Sequence, residues 1–422
     1  MRKLASSLIL LFGLWTWLPQ LQATPACDPG NGGITLPKGF CATVFADNLG
    51  TARNIVVNSN GDVYVALLAP THDGGIVALR PGKDGHAAEI KYFGAQGGTG
   101  IGIHDGYLYF ATPTEVMRYK LIPGQLLPNV TPEMVISGFP EQHEHAAKTF
   151  TFDNAGHLYV NVGAPSNACQ HEDRQRGSPG IMPCPLLAKH GGTWEFSADK
   201  INQHFPQDGV HFASGIRNGM AIAWNTHTGH LYDVQMGRDQ LYDNWPQFYT
   251  AEQSAELPAE QFFLVRQGEN YGWPYCYYDE LQHKKVLAPE YGGDGKKAGD
   301  CGKYGQPIMA FPGHWAPEAL IFYRGDAFPA RYRDGAFIAF HGSWNRAPLP
   351  QAGYQVVFVP FKGDLPAGGY EIFAGGLAGV NPLTLPSDAH FRANGLAEGP
   401  HGALYISDSQ HGRIWRVFCS RP

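Results

Sequence analysis

Ala155-Gly156-His157-Leu158-Tyr159 is a polar-glycine turn that delivers the chain into an alternating apolar strand. The phrase recurs five more times, as Asn60-Gly61-Asp62-Val63-Tyr64, Asp105-Gly106-Tyr107-Leu108-Tyr109, Thr228-Gly229-His230-Leu231-Tyr232, Asp334-Gly335-Ala336-Phe337-Ile338 and His401-Gly402-Ala403-Leu404-Tyr405. Each copy is the sequence signature of one hairpin. Successive glycines stand 45, 50, 73, 106 and 67 residues apart. These intervals exceed the needs of one hairpin and suit one four-stranded sheet each, the longer ones carrying inserted loops. Six sheets spread over the length of the chain predict an all-β fold, a six-bladed β-propeller.

Composition fits that reading. The 422 residues include 53 Gly and 32 Pro, the turn formers that two dozen short strands need. No stretch beyond the N-terminus shows a long 3.6-residue apolar period, so helices should be few, and no linker divides the chain. Met1-Arg2-Lys3, the apolar run Leu4 to Leu18 and Leu21-Gln22-Ala23 read as a secretory signal over 1–23, followed by one propeller domain over 24–422. An uncleaved anchor is the alternative, but the apolar run is short for a membrane span. The expectation is a secreted, periplasmic protein without stable membrane insertion. The formal net charge of −6, or −8 once Arg2 and Lys3 are removed, disfavours nucleic acid and anionic membranes as partners.

All seven cysteines lie in the exported part, where thiols oxidise. Loop-local pairing gives Cys169 with Cys184, Cys276 with Cys301 and Cys27 with Cys41, leaving Cys419 over. Because a propeller must hold its first and last strands together, a bridge from Cys27 or Cys41 to Cys419 competes for the third pair. Cys-x-x-Cys-His is absent, so the chain carries no covalent c-type haem.

Blade-connecting loops of a propeller converge on one mouth of the channel, so chemistry is expected in loops near the hairpin signals. Those loops hold His143-Glu144-His145, Gly215-Ile216-Arg217-Asn218, Gly237-Arg238-Asp239, His314-Trp315-Ala316-Pro317, His341-Gly342-Ser343-Trp344-Asn345-Arg346 and Arg392-Ala393-Asn394. They offer imidazoles and guanidinium groups with few carboxylates, a mixture suited to a planar polyanion. On a strand, His143 and His145 would share a face and could ligate zinc, but no third His or Cys stands at a supporting spacing. Trp273 and Trp344 sit in Gly/Pro-rich loops, where they either cap blades or wall a flat cofactor or sugar ring.

The chain resembles the soluble PQQ-dependent glucose/sorbosone dehydrogenases, quinoproteins built on a six-bladed propeller. The resemblance runs from Gly33-Ile34-Thr35-Leu36-Pro37 to Gly412-Arg413-Ile414-Trp415, and is most specific at Ala339-Phe340-His341-Gly342-Ser343-Trp344-Asn345-Arg346, Gly353-Tyr354-Gln355-Val356-Val357-Phe358-Val359-Pro360-Phe361 and Tyr271-Gly272-Trp273-Pro274-Tyr275. These pieces look more like the sorbosone-dehydrogenase-like branch than the glucose dehydrogenase proper. The resemblance implies His145 as catalytic base and Arg217-Asn218 facing the quinone. It implies Gly237 and Arg238 as main-chain ligands of a calcium ion that bridges to PQQ. Arg392 would hold a PQQ carboxylate and His314 would contact the cofactor. Three positions depart from the family pattern: no lysine stands near Ser343, which leaves Arg346 or Lys148 as candidates for that charge, the second arginine expected two residues after Arg392 is Asn394, and where many sorbosone-like relatives read Asn-Glu-Arg-Asp this chain reads Met236-Gly237-Arg238-Asp239.

The activity implied is oxidation of a sugar or polyol hydroxyl by hydride transfer to the quinone. His145 would take the hydroxyl proton, a role suited to a pKa near working pH, and Arg217 would stabilise the developing oxyanion. Without haem, the reduced enzyme needs an external acceptor, a cytochrome or the quinone pool. The rival readings are a non-catalytic sugar-binding propeller and a metal-dependent lactonase, whose site would need converging carboxylate and amide ligands.

Overall fold

The computed structural model describes residues 26–419, so the expected signal segment 1–23 lies outside the described residues. Six sheets of four antiparallel strands follow one another along the chain, and the second gains a fifth, Gln203–His204, which pairs in parallel with its outer strand. Blade 1 comprises Ala52–Val57, Val63–Thr71, Gly74–Pro81 and Ala87–Phe93, and blade 2 Gly100–His104, Tyr107–Ala111, Val116–Lys120 and Glu133–Ser137. Blade 3 is built from Phe150–Phe152, His157–Val162, Gly192–Ser197 and Val210–Ser214, and blade 4 from Ala221–Asn225, His230–Gln235, Glu260–Val265 and Met309–Phe311. Blade 5 uses Pro317–Phe322, Ala336–Phe340, Gln355–Val359 and Glu371–Ala374. Blade 6 takes Ala393–Glu398, Leu404–Asp408 and Ile414–Cys419, and borrows its fourth strand, Phe40–Ala46, from the other end of the chain. The first strand of every blade faces the axis, where a channel of about 710 Å³ is lined by Val56, Ile103, Phe152, Ile222, Ile321 and Ala397. The expected six-bladed propeller is the fold observed.

The repeated phrase has a structural reason. Side chains alternate across a strand, and both faces of a blade are covered by its neighbours, so both residues after the turn must be apolar. Leu108 packs between blades 1 and 2 while Tyr109 packs between blades 2 and 3, and Leu158 and Tyr159 divide the next two interfaces in the same way. Leu231 and Tyr232, then Leu404 and Tyr405, continue the pattern, giving one apolar cluster per blade interface. Five of the six turn glycines adopt positive φ, from 71° at Gly402 to 92° at Gly61. At the fifth turn Asp334 takes the positive φ, and Gly335 is needed instead because a Cβ there would stand 2.3 Å from the Phe358 ring.

Closure settles the cysteine question. Phe40–Ala46 pairs antiparallel with Ile414–Cys419, with Phe40 opposite Cys419 and Cys41 opposite Phe418. Cys41 therefore points to the other face of the ladder from Cys419, and the two cannot be bridged. Cys41 is bonded to Cys27, Cys169 to Cys184 and Cys276 to Cys301, leaving Cys419 as the free thiol. The last two bridges lie in the long insertions at blades 3 and 4. Those insertions also carry the short helices Leu241–Asn244 and Ala251–Glu256 and the hairpin Cys276–Asp279 with Lys284–Leu287.

Candidate active site

The turn glycines sit where the first strand of a blade ends, whereas every candidate loop precedes a first strand or follows a second one. Chemistry thus gathers at the opposite end of the same strands, about 17–20 Å from the turns that announce each blade, rather than near them.

His145 precedes the first strand of blade 3 and holds φ at 52°. The Gln142 amide fastens this bend by donating to the carbonyls of Glu144 (2.8 Å), His145 (3.0 Å) and Gly163 (3.0 Å). Gly163 lies between His145 and Asn218: a Cβ on it would come within 2.6 Å of the His145 Cβ and 2.9 Å of the Asn218 Oδ1. The segment is no strand, His143 is exposed, and the premise of a shared histidine face for zinc fails. His145 Nδ1 lies 2.5 Å from the Ala164 carbonyl oxygen, an acceptor, so Nδ1 carries the proton and Nε2 is left with its lone pair. Burial, and then the Arg217 charge, push the imidazole down to about 4. The expected base is thus poised well below neutral pH, because its ring is largely desolvated beside a guanidinium.

Arg217, 2 % exposed, is held on all sides. Its Nε and Nη2 reach the carbonyl and side-chain oxygens of Asn167 (3.2 and 3.1 Å), Nη1 donates to the Gly237 carbonyl (2.7 Å), and Nη2 meets Asp239 Oδ2 (3.0 Å). One Nη1 hydrogen is left over. Burial alone would raise the Asp239 carboxyl, but Arg217, His314 and Arg174 together hold it well below the usual carboxylate range. Asp239 also accepts from Asn345 Nδ2 at 2.8 Å, which ties the Trp344 loop to blade 4. Burial depresses the His314 imidazole, and the hydrogen bond and charge of Asp239, with Glu260, more than reverse it. His314, expected to contact the cofactor, has Nδ1 3.7 Å from Asp239 Oδ1 and Nε2 on the Ser254 carbonyl at 2.8 Å.

Arg346, expected to reach the cofactor, is spent on protein: its nitrogens serve the carbonyls of Ala255, Gly313 and Pro350 and the Glu256 carboxylate. Lys148, the other candidate for that charge, is buried with Nζ on the Ala146 carbonyl at 2.6 Å, and burial lowers it to about 8. Trp273 is buried with Nε1 on the Asn167 carbonyl and packs beside the Cys169–Cys184 bridge, a cap rather than a wall. Trp344 is 56 % exposed at the mouth. Arg392 donates from Nε to the His341 carbonyl (3.0 Å) and from Nη2 to the Gly342 carbonyl (2.8 Å). The His341–Asn345 stretch therefore connects Arg392 with Asp239 in one mouth.

Carboxylates are the groups the sequence reading missed. Beside Arg217 and Asp239 run Arg174 with Glu144 (2.9 Å), Arg238 with Glu290 (2.5 Å) and Arg346 with Glu256 (2.5 Å). Adjacent Arg238-Asp239 and Glu260-Gln261 opening a fully buried strand that continues Phe262-Phe263-Leu264-Val265 were the available signals. Asp239, Glu144, Glu290 and Glu256 are each engaged by a guanidinium and Glu260 accepts from the Gly237 and Ala316 amides, and no group of three His, Cys, Asp or Glu converges among the described residues. For calcium, the Arg238 carbonyl carries no hydrogen bond and the Gly237 carbonyl shares one with Arg217, so two hard main-chain oxygens are at hand.

Comparison with known proteins agrees with this architecture. A PQQ-dependent pyranose dehydrogenase of Coprinopsis cinerea is 27 % identical over 206 residues, spanning 44 % of this chain and 27 % of that one. The holo form of its PQQ domain superposes with a TM-score of 0.73 at 17 % identity, covering 91 % of this chain and 97 % of that one. A calcium structure of the Trichoderma reesei carbohydrate-active enzyme family AA12 gives a TM-score of 0.74 at 19 % identity, covering 92 % and 97 %. An uncharacterised protein of Borreliella burgdorferi is 31 % identical over 407 residues, 94 % of this chain and 93 % of that one. The quinoprotein propellers that the sequence resembles are the ones its structure resembles. With the TrAA12-like family model matching residues 34–419, the chain belongs to that family.

Proposed function

We propose that the protein is a dehydrogenase that uses PQQ and calcium to oxidise a CH–OH group of a sugar or polyol, passing the electrons to an external acceptor, a cytochrome or a quinone. The observation that carries the reading is His145: a half-buried neutral imidazole with Nδ1–H committed to Ala164 and Nε2 bare, in the same mouth as Arg217, Asn218 and the Gly237–Arg238 carbonyls. Family membership supports it, and the named relatives that share the propeller include a PQQ domain in holo form and a calcium structure.

When bound, PQQ supplies a two-electron acceptor and calcium a Lewis acid that polarises it. His145 Nε2 takes the hydroxyl proton as the C–H bond breaks, the electron pair and hydrogen leaving as hydride. The remaining Nη1 hydrogen of Arg217 and the Asn218 amide orient groups at the reacting end, and Asp239 fixes the guanidinium. Main-chain oxygens of Gly237 and Arg238 would hold the calcium ion. Exposed Trp344 is placed to stack on a sugar face. We further propose export of 24–422 as a single domain to an oxidising compartment, the periplasm, after removal of 1–23. The three disulfides support export. Among the described residues no helix is long and apolar enough to cross a membrane.

The test is reconstitution of purified protein with PQQ and calcium, followed by a panel of aldoses, sorbosone-like ketoaldehydes and polyols with an artificial acceptor. Quinone absorbance that co-purifies with the protein, and turnover that EDTA abolishes and calcium restores, are expected. PQQ binding without turnover on any substrate would favour the non-catalytic propeller, and full turnover in excess chelator would remove calcium from the mechanism.

A further inference from the structure

Asn167 lies fully buried in the insertion between the second and third strands of blade 3, and all four of its polar atoms are engaged. Its backbone N–H donates to Asp173 Oδ1 (3.0 Å), and its carbonyl accepts from Trp273 Nε1 (3.0 Å) and Arg217 Nε (3.2 Å). In the side chain, Oδ1 accepts from Arg217 Nη2 (3.1 Å) and from the Asp239 N–H (2.8 Å), while Nδ2 donates to the Asp239 carbonyl (3.0 Å). A side-chain amide that takes both the N–H and the C=O of one residue does what a peptide group does in a strand ladder: it fixes that residue at two points.

The consequence falls on the residue before. The Asp239 N–H and the Arg238 C=O belong to one peptide group, which is planar and trans. In such a group the two bonds point in opposite directions, so turning the N–H onto Asn167 turns the Arg238 carbonyl away from the blade 3 insertion. That carbonyl carries no hydrogen bond of its own. The Gly237 carbonyl is set by the same residue at one remove, because Arg217, gripped by Asn167 at Nε and Nη2, donates to it from Nη1 (2.7 Å). Asp239 is 9 % exposed, and removing the Asn167 side chain leaves its N–H unpaired, a cost that rotation of the peptide relieves. Asn167 itself is anchored without any ligand: Asp173 Oδ1 also accepts from Ser166 Oγ, Ser166 Oγ accepts from the Cys169 N–H (2.9 Å), and the Cys169–Cys184 bridge closes the turn.

We propose that Asn167 is a positioning residue of the calcium site, which aims the Arg238 carbonyl through the one peptide group it grips and holds Arg217, and with it the Gly237 carbonyl, in the same frame. The inference rests on the PQQ and calcium reading given above.

The experiment compares wild type, Asn167→Ala and Asn167→Asp. The first readout is the calcium concentration that half-saturates PQQ binding, followed by tryptophan fluorescence. The second is hydrogen exchange at the Asp239 amide in the ligand-free protein. Asn167→Ala should need about ten- to a hundredfold more calcium, with PQQ binding restored once calcium saturates, and its Asp239 amide should exchange fast. Asn167→Asp keeps an acceptor for the Asp239 N–H and for Arg217, so its amide should stay protected and its calcium midpoint should fall between the other two. A merely structural residue would lower the melting temperature of Asn167→Ala and leave the calcium midpoint where it was, and that result overturns the proposal. An Asp239 amide that exchanges freely in ligand-free wild type overturns it with no variant needed, so a variant that fails to fold does not protect it. If wild type binds no PQQ in the presence of calcium, the cofactor reading falls, and exchange at Asp239 then decides the grip alone: slow in wild type and fast in Asn167→Ala upholds it, equal rates overturn it.

Discussion

At the residue scale the decisive atom is His145 Nδ1, whose donation to Ala164 fixes the tautomer and so decides which nitrogen can accept a proton. His145→Ala should leave PQQ affinity unchanged while lowering turnover by about 10²- to 10⁴-fold, with exposed His143→Ala as the control that changes little. Because burial and Arg217 hold the imidazole near 4, the neutral, accepting form persists as pH falls through 6.5 and is lost only around 4. The NMR titration of its ring protons in the ligand-free protein should show that midpoint. Much of this was legible beforehand: the resemblance pointed to His145, Arg217 and Asn218, and the structure gathers them around Gly163 and Gly237. What no spacing could reveal is which arginines are already spent. Arg346 and Arg53 look equivalent in a string of letters, yet one is saturated by Ala255, Gly313 and Glu256 and the other is bare, and that difference arises from contacts 33 or more residues away.

At the scale of elements, the hairpin Cys276–Asp279 with Lys284–Leu287 is anchored by Lys285, whose Nζ donates to the carbonyls of Tyr271 (2.5 Å) and Gly305 from a buried position over the Phe263 ring. Burial lowers this ammonium from 10.5 to about 7, so between about 7 and 10.5 the unfolded chain binds more protons at this position than the folded one. Stability from this group therefore rises with pH across that window and is lost as pH falls toward 7. Subtracting the denaturation free energies of Lys285→Met from those of wild type between pH 7 and 10 should recover that rising slope, and a flat difference would show an ordinary lysine. The hairpin gave no signal in advance, since its strands are four residues each and pair only with one another. The blades did, because each must bury both faces and so writes Leu-Tyr or its equivalent after every turn.

At the scale of the whole molecule, stability hangs on a ring closed by a strand from the far end of the chain. The Cys27–Cys41 bridge pins that strand, closing a loop of 14 residues in sequence separation. Removing it as Cys27→Ser with Cys41→Ser should cost about 3 kcal/mol by the loop-entropy relation, whereas Cys419→Ser should be near neutral. Urea denaturation of both variants reads the difference. Closure itself followed from the repeat count, but the choice among cysteine partners needed the register, because a one-residue offset moves Cys419 to the opposite face from Cys41.

That same register sets how the ring responds to pulling. Phe40 and Cys419 are paired partners at one end of the closing ladder, while Ala46 and Ile414 meet at the other. Force applied between Phe40 and Cys419 loads the ladder in a peeling geometry, one backbone pair after another, instead of shearing all pairs together. An electrode tether attached beyond these strands would accordingly open blade 6 first, whereas one fixed at the Gly106 or Gly156 turn, away from the mouth, would load no closing strand and would leave the mouth clear for substrate.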